Sequence, residues 1–230
     1  MNTASQTIKT FSIRKNIFYS IMLLLFIAGS TPANAYSESS ENSQSWQFRV
    51  FLDDDEIGFH HFSLIDRGGH KEIYSKARFD VKFLFFNAYS YQHDNVERWH
   101  GNCLKSINAF TDDNGEEYKV SGKLADETFI ITTINSQHSY PACVKTFAYW
   151  DPQFLRETSL LNSQTGEMIE VESRFIGNES LSHKGEIVDA RRYRLSGDKL
   201  QIDLWYSDKN RWLALESLTE SGHIVRYAIP

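Results

Sequence analysis

The 230 residues carry 24 basic and 30 acidic side chains, which gives a formal net charge of −6. An acidic surface repels phosphate backbones, so nucleic acid is not an expected partner. Length and composition suit one domain with a single core, once the N-terminal segment described next is set aside.

Residues 1–35 have the three parts of a secretory signal peptide. A basic segment precedes the uninterrupted apolar run 21–28, and an Ala-Asn-Ala site ends at Ala35. The alternative is an uncleaved membrane anchor, but the run is well short of the roughly 20 residues that a spanning helix needs. We predict cleavage after Ala35 and export to a periplasm or out of the cell, with no integral membrane segment left. Loss of three basic residues then changes the net charge from −6 to −9.

The mature chain is predicted to begin with a flexible lead-in, 36–45, because this segment is rich in Ser, Glu and Asn and has no apolar periodicity. A single antiparallel β domain follows at 46–230. Its second strand, 57–65, contains the neighbours His60 and His61. Consecutive strand residues point to opposite faces, so these two histidines cannot both bind one metal ion in a regular strand.

The stretch 79–86 is predicted to be the central core strand. Phe79, Val81, Phe83 and Phe85 alternate with other residues at period two, which is typical of a half-buried strand. Near the end of the stretch both sides become apolar, so another element should cover its second face. In the strand that follows, 88–99, Tyr89 and Tyr91 share one face with His93.

Both cysteines, Cys103 and Cys143, lie in the part of the chain predicted to be exported. Two cysteines in an oxidising compartment most often pair. Closing a loop of about 40 residues would stabilise the fold by roughly 4 kcal/mol in the chain-entropy model. The alternative is a catalytic or metal-binding thiol.

One helix is predicted, beginning at Asp151-Pro152 with an aspartate N-cap and proline at the first position. Phe154, Leu155, Leu160 and Leu161 give it an apolar side, and 162–166 ends it. Together with the aromatic residues just before it, this helix is expected to lie across the 79–86 strand.

Short strands separated by turn signals fill the rest of the chain. The Asn-Gly pair at 114–115 predicts a hairpin, and 135–141 is expected to be a loop. Five strands follow the helix, at 168–175, 186–195, 200–206, 212–218 and 224–229. About eleven strands in one domain predict a mainly β fold, an antiparallel meander strongly curled into a half or nearly closed barrel, with one short helix packed across it.

A curled sheet with aromatic side chains on its concave face is able to hold an acyl chain or another apolar, lipid-like ligand. The predicted lining residues are Phe83, Phe85, Tyr89, Tyr91, Trp150, Phe154 and Trp205. The same side chains could instead fill the interior. The protein would then be a structural or interaction domain of the cell envelope, with another envelope protein as its partner.

A hydrolase is the third interpretation, with His93, Asp94 or Glu97 as the reactive groups. His93 and His100 also flank two acidic residues, an arrangement that a surface metal site could use. The sequence contains no H-x-x-x-H or H-E-x-x-H metal motif and no nucleophile elbow. We therefore assign no catalytic residue, no metal ligand and no cofactor from the sequence.

Several motifs in order resemble a family of exported Gram-negative proteins that is defined only as a domain of unknown function. They are FDVKFLFF at 79–86, the segment 99–103, TFAYWDP at 146–152, LLNSQTG at 160–166, YRL at 193–195 and IDLWY at 202–206. The resemblance covers nearly all of the mature chain and implies an exported protein without an established activity. It supplies no catalytic residues.

The C-terminal pattern is more weakly similar to periplasmic lipoprotein carriers with a half-barrel fold. The similarity rests on a strand that ends in Asp-Leu-Trp-Tyr at 203–206, followed by a turn and by the strand at 212–215. Those carriers wrap a curved antiparallel sheet around a helical plug and hold acyl chains. The present chain departs from them in having one short predicted helix and a predicted disulfide in the middle.

Overall fold

Antiparallel strands make up nearly all of the regular structure in the computed structural model, which describes residues 42–83 and 86–229. The predicted signal peptide, 1–35, and its cleavage site lie outside these residues, as do residues 36–41 of the predicted lead-in. The first strand begins at Asn42 and pairs from there with the second strand. Residues 42–45 therefore belong to the sheet and not to a flexible lead-in.

Fifteen strands are present in the described part of the chain. They are β1 (Asn42–Leu52), β2 (Asp55–Asp66), β3 (His70–Phe83), β4 (Phe86–His100), β5 (Cys103–Asp113), β6 (Glu116–Ala125), β7 (Thr128–Thr132), β8 (Gln137–Pro141), β9 (Ser159–Leu161), β10 (Met168–Glu170), β11 (Glu172–His183), β12 (Glu186–Gly197), β13 (Leu200–Tyr206), β14 (Trp212–Leu218) and β15 (Ile224–Ala228).

Thirteen of these strands form one antiparallel sheet, in the order β11-β12-β13-β14-β15-β1-β2-β3-β4-β5-β6-β7-β8. The prediction of a mainly β, antiparallel meander is confirmed. The predicted strong curling into a half or nearly closed barrel is wrong, because β8 and β11 remain the two edges of an open sheet. The segment 142–171 covers the inner face of the sheet, so apolar side chains are buried there without the strands closing on themselves.

The predicted helix is a single 3-10 turn, Pro152–Arg156. Its start is as predicted, since the Asp151 carboxylate accepts a hydrogen bond from the Gln153 backbone N–H. The chain leaves the helical conformation at Glu157. Leu160 and Leu161, which were also assigned to the helix, lie in β9, which pairs with β10. The described residues include no helix long and apolar enough to span a membrane.

The core lies between the sheet and this covering segment. Its largest fully buried side chains include Phe48, Phe129, Tyr206 and Trp212. Phe79 and Val81, at the far end of β3, are only half-buried, so the described part of the predicted core strand is not the centre of the core. The side chains of residues 82–86 lie outside the described part of the structure. The aromatic cover also lies elsewhere than predicted: the Tyr149 ring packs 5.3 Å from that of Trp212 in β14, and Phe154 packs 5.7 Å from Tyr149.

Cys103 and Cys143 form the predicted disulfide, with their Cα atoms 4.3 Å apart. The bond joins the first residue of β5 to the segment that follows β8, and so ties the edge of the sheet to a strand three positions further in. The loop predicted at 135–141 is wrong, because Gln137–Pro141 forms the edge strand β8. Its side chains are mostly exposed, so β8 lacks the apolar alternation by which a strand is recognised in a sequence.

The hairpin predicted at 114–115 is confirmed and connects β5 to β6. Asn114 and Gly115 have φ angles of 54° and 93°, the left-handed conformations that a tight two-residue hairpin requires. This turn sets the register in which the outer-face side chains of β5 and β6 lie beside one another.

Candidate functional site

Alternating side chains of β1 to β7 line two concave regions on opposite faces of the sheet. The inner region is a cavity beneath the covering segment, and the outer region is an open groove. His60 lines the inner cavity and His61 the outer groove, as the alternation rule predicted for this pair.

The inner cavity has a volume of about 230 Å³. Polar side chains from β2, β3 and β4 and aromatic side chains from the covering segment line it. The lining residues used below are His60, Phe62, Ser75, Tyr91, His93, Asn95, Glu97, Thr146, Phe147, Tyr149, Trp150, Asn162, Ser163, Gln164 and Tyr227.

Two neutral imidazoles lie in this cavity. The Nε2 atom of His60 is 2.7 Å from the Ser75 hydroxyl, and its Nδ1 atom is 3.2 Å from the Tyr227 hydroxyl. Burial lowers the pKa of His60 well below its ordinary value. His93 Nδ1 is 2.8 Å from the Thr111 hydroxyl, and burial lowers the pKa of His93 to about 4. Both rings are therefore uncharged at neutral pH.

Glu97 is a buried carboxyl group, 4% exposed, on the same face of β4. It accepts hydrogen bonds from Asn95 Nδ2 at 3.0 Å, Trp99 Nε1 at 2.9 Å and Thr146 Oγ1 at 3.1 Å. Burial raises the pKa of Glu97, and the three donors offset only part of that rise. No basic side chain in the described ranges forms an ion pair with it.

Of the predicted lining residues, the structure brings Tyr91 and Trp150 together at the inner cavity. Tyr91 stacks on Phe79 and donates a hydrogen bond to Gln164 Oε1 at 3.1 Å. Tyr89 instead donates to Asp113 at 2.7 Å and does not line the cavity.

The remaining predicted lining residues are not at the cavity. Phe154 is buried in the core. Trp205 lies on the opposite face of the sheet, where its indole N–H donates to Glu179 at 3.0 Å and the Arg192 guanidinium lies 5.0 Å from its ring centroid. The prediction that Trp205 lines the inner face was wrong. Its sequence neighbours Leu204 and Tyr206 are fully buried and point inward, and successive strand residues point to opposite faces, so Trp205 points outward. Phe85 and the side chain of Phe83 lie outside the described part of the structure.

The three residues suggested for hydrolysis do not come together. His93 and Glu97 share the inner cavity, but Asp94 lies on the outer face and pairs with Arg78 at 2.6 Å. His100 stacks on His70 at the other end of the strands, with 4.4 Å between ring centroids. Within 42–83 and 86–229, no three or more His, Cys, Asp or Glu side chains are placed to hold a metal ion.

The outer groove has a volume of about 940 Å³ and crosses seven strands. One row of directly paired residues runs across its floor, one residue from each of β1 to β7. In order they are Ser45, Ser63, Tyr74, Val96, Asn108, Ser121 and Thr132. Ile134, just beyond β7, lies at one end of the groove and is 54% exposed.

The parallel row beside this floor carries the charges of the groove. Gln47, His61, Lys76, Asp94, Phe110 and Lys119 are paired in that order. Lys119 lies 5.7 Å from the Phe110 ring centroid and 3.2 Å from the Glu117 carboxylate. Asp94 is engaged by Arg78, whereas no carboxylate in the described residues pairs with Lys76.

Sequence reasoning missed this groove because it assigned ligand binding to the face that carries the large aromatic residues. The signal was present in the even-numbered residues of β3 and β4, where Tyr74, Lys76 and Val96 share the face opposite the core. Alternation shows which residues share a face, but it does not show that the face is concave.

These features define an open antiparallel β-sheet domain with a small polar interior cavity and a large outer groove. The solved structure of a beta-barrel-like protein from Brucella abortus, with domain of unknown function DUF1849, is similar to it, with a TM-score of 0.60. The alignment covers 83% of this chain and 95% of that chain at 7% sequence identity, so the likeness concerns the fold alone.

The chain itself belongs to the family described as domain of unknown function DUF6134, whose profile matches residues 48–229. The predicted resemblance to an uncharacterised family is thereby confirmed. No curated protein matches the sequence.

Proposed function

We propose that this protein is an exported binding protein that holds a single-chain anionic amphiphile, of the fatty-acid type, in its outer groove. The observation that carries the proposal is the groove volume of about 940 Å³. Small-molecule sites commonly measure about 300–1,000 Å³. The inner cavity, at about 230 Å³, is smaller than that range and has a polar lining.

The apolar part of the ligand would lie along exposed carbon-rich side chains. Tyr74 is 40% exposed and Ile134 is 54% exposed, and Val96 and Phe110 lie between them on the same face. Covering partly exposed apolar side chains contributes about 25 cal/mol per Å² of apolar surface removed from water. Small Ser and Thr side chains in the floor row leave the space in which a chain can lie across the strands.

The anionic head group would lie beside Lys76. This lysine has no carboxylate partner among the described residues and lies next to His61, whose pKa is lowered by partial burial and by the charge of Lys76. The protein as a whole is acidic, with a net charge of −6, so a cationic rim on the groove favours an anion at this place. A flexible lysine can also lay its aliphatic stem along an acyl chain while its ammonium group meets the head group.

Location in the periplasm or outside the cell is part of this proposal. The signal-peptide pattern of residues 1–35 and the Cys103–Cys143 disulfide support it, since disulfides persist in oxidising compartments. An envelope protein would meet fatty acids and lysophospholipids released from membranes there.

Equilibrium titration with a dansylated fatty acid, and with oleate as competitor, tests the proposal. Lys76→Glu reverses the charge beside the head group and should weaken binding about tenfold, which corresponds to about 1.4 kcal/mol. Lys123→Glu makes the same charge change at an exposed residue of β6 outside the groove, and should leave the affinity unchanged.

The same titration separates the proposal from the envelope interaction domain predicted as the alternative. An interaction domain without a ligand gives no saturable response to any anionic amphiphile. That result, or an equal loss of affinity in the Lys76→Glu and Lys123→Glu variants, would contradict binding in the groove.

A further inference from the structure

We propose that His70 and His100 form a two-histidine site for a divalent late transition-metal ion, with Cu²⁺ as the ion that it binds most tightly. The two residues are direct neighbours across the sheet, at the first position of β3 and the last position of β4. Neither lines the outer groove or the inner cavity, so this site is independent of the proposed amphiphile site.

The backbone brings the two side chains as close together as a sheet allows. The Gly101 N–H donates to the Gly69 carbonyl at 2.8 Å, and the Arg67 N–H donates to the His70 carbonyl at 2.9 Å. Hydrogen-bonded and non-hydrogen-bonded pairs alternate along an antiparallel ladder, so His70 and His100 are a non-hydrogen-bonded pair. In such pairs the Cα atoms are only about 4.5 Å apart and the side chains lie closest.

The two imidazole rings are in contact and available to a ligand. Their centroids are 4.4 Å apart with an angle of 18° between the ring planes, and both side chains are exposed. No described group forms a hydrogen bond or an ion pair with a ring nitrogen of either residue, whereas the rings of His60, His93 and His223 each have a hydrogen-bond partner. A metal ion lies about 2.0–2.1 Å from each ligating imidazole nitrogen, so the two exposed rings need only turn about their own side-chain bonds to face one ion.

The ligand set determines which metals fit. Imidazole suits copper, nickel and zinc, and copper(II) has the highest affinity for nitrogen sites among the divalent first-row ions. Calcium and magnesium require several oxygen ligands instead. The nearest carboxylate along β3, Glu72, is already paired with Arg98 at 2.6 Å and with Arg67 at 3.9 Å. The other coordination positions are therefore left to water or to an exchangeable outside ligand, and the site is an open one.

Titration with Cu²⁺ against a chromophoric chelator tests the site, with Ni²⁺, Ca²⁺ and Mg²⁺ as comparators. One Cu²⁺ should bind per chain, Ni²⁺ should bind more weakly, and the two oxygen-seeking ions should not bind. His70→Asn or His100→Asn should weaken Cu²⁺ binding about a hundredfold, because the second imidazole no longer adds an intramolecular ligand. His138→Asn removes an exposed histidine of β8 and should leave the affinity unchanged.

Two further measurements separate a shared site from single surface histidines. The electron paramagnetic resonance spectrum of the Cu²⁺ protein should show two nitrogen ligands in the wild type and one in each single variant. Cu²⁺ should also raise the melting temperature of the wild type, because the unfolded chain does not hold the two rings together. Without metal, both single variants should melt close to the wild-type temperature, since the replaced side chains are exposed.

The double variant gives the sharpest test. If one ion uses both rings, replacing both should weaken binding little more than replacing either one, whereas independent sites would give losses that multiply. The proposal is overturned by multiplied losses, by an affinity that either single variant retains, or by a single nitrogen ligand in the wild-type spectrum. His70→Asn should leave fatty-acid binding in the groove unchanged, so the two proposed sites fail separately.

Discussion

His60 and His93 stay neutral inside the sheet, because burial lowers the pKa of both imidazoles. Each ring also has hydroxyl partners, so the fold holds the uncharged form in a fixed orientation. In the unfolded chain a histidine has a pKa of about 6.5. Acidification therefore protonates these residues in the unfolded chain before it does so in the folded protein.

The stability of the protein should fall as pH decreases from about 6.5 towards 4. A group whose folded pKa is depressed contributes stability that is fully present above its unfolded pKa and is lost as pH falls towards the folded value. With a folded pKa of about 4, His93 should account for up to about 3 kcal/mol of this loss. His93→Asn keeps a polar group near Thr111 and does not titrate, so its free energy of unfolding should depend less on pH.

Urea unfolding at a series of pH values measures this difference. Glu97 acts in the opposite direction, because its raised pKa makes its contribution fall as pH increases above about 4.5. Glu97 is present in both the wild type and the His93→Asn variant, so its contribution to the pH dependence cancels when the two proteins are compared. His138→Asn, at an exposed position of β8, is the matched control and should keep the wild-type pH dependence. If His93→Asn and the wild type showed the same pH dependence, His93 would not be a source of the stability lost at low pH.

At the scale of single elements, strands with local turn signals could be predicted from the sequence. The predicted strands 200–206 and 212–218 coincide with β13 and β14 because alternation and the intervening turn are local properties. The region after Asp151 could not be predicted in this way. The Leu161 N–H bonds to the Lys145 carbonyl at 2.7 Å, and β9 pairs with β10, so partners distant in sequence make Leu160 and Leu161 extended.

Both leucines of β9, which is part of the covering segment, are fully buried in the core. Leu160→Ala should lower the free energy of unfolding by about 3 kcal/mol, through lost apolar burial and the cavity that remains. Ile187→Ala removes the same class of side chain at a residue that is 75% exposed, and should change stability by less than about 0.5 kcal/mol. Chemical denaturation of both variants checks the contrast, and similar small losses in the two would show that β9 does not belong to the core.

The candidate sites were harder to predict than the strands. Sequence alternation placed Tyr91 and His93 on one face, and the structure adds Asn95, Glu97 and Trp99 to that face of β4. Which face is buried depends on the covering segment, whose path is not encoded by any local pattern. The large outer groove depends on the shape of the sheet across seven strands, and no single strand indicates that shape.

At the scale of the whole molecule, one disulfide holds the β5 to β8 part of the open sheet. Replacing both Cys103 and Cys143 with Ala should cost roughly 4 kcal/mol, because the bond closes a loop with a sequence separation of 40 residues. For a domain of this size the melting temperature should fall by about 8–16 °C. Calorimetry of the oxidised, reduced and double-alanine proteins measures the effect. If the reduced protein melted at the same temperature as the oxidised one, the disulfide would not stabilise the fold.

The position of a bound amphiphile tests the central claim most directly. A photoreactive fatty acid, activated on the protein and mapped by peptide mass spectrometry, should label outer-face residues of β3 to β6 and Ile134. Excess oleate should suppress the labelling, and Lys76→Glu should reduce it. Labels on the inner-cavity residues Tyr149 or Tyr227, or labelling that oleate does not suppress, would contradict binding in the outer groove.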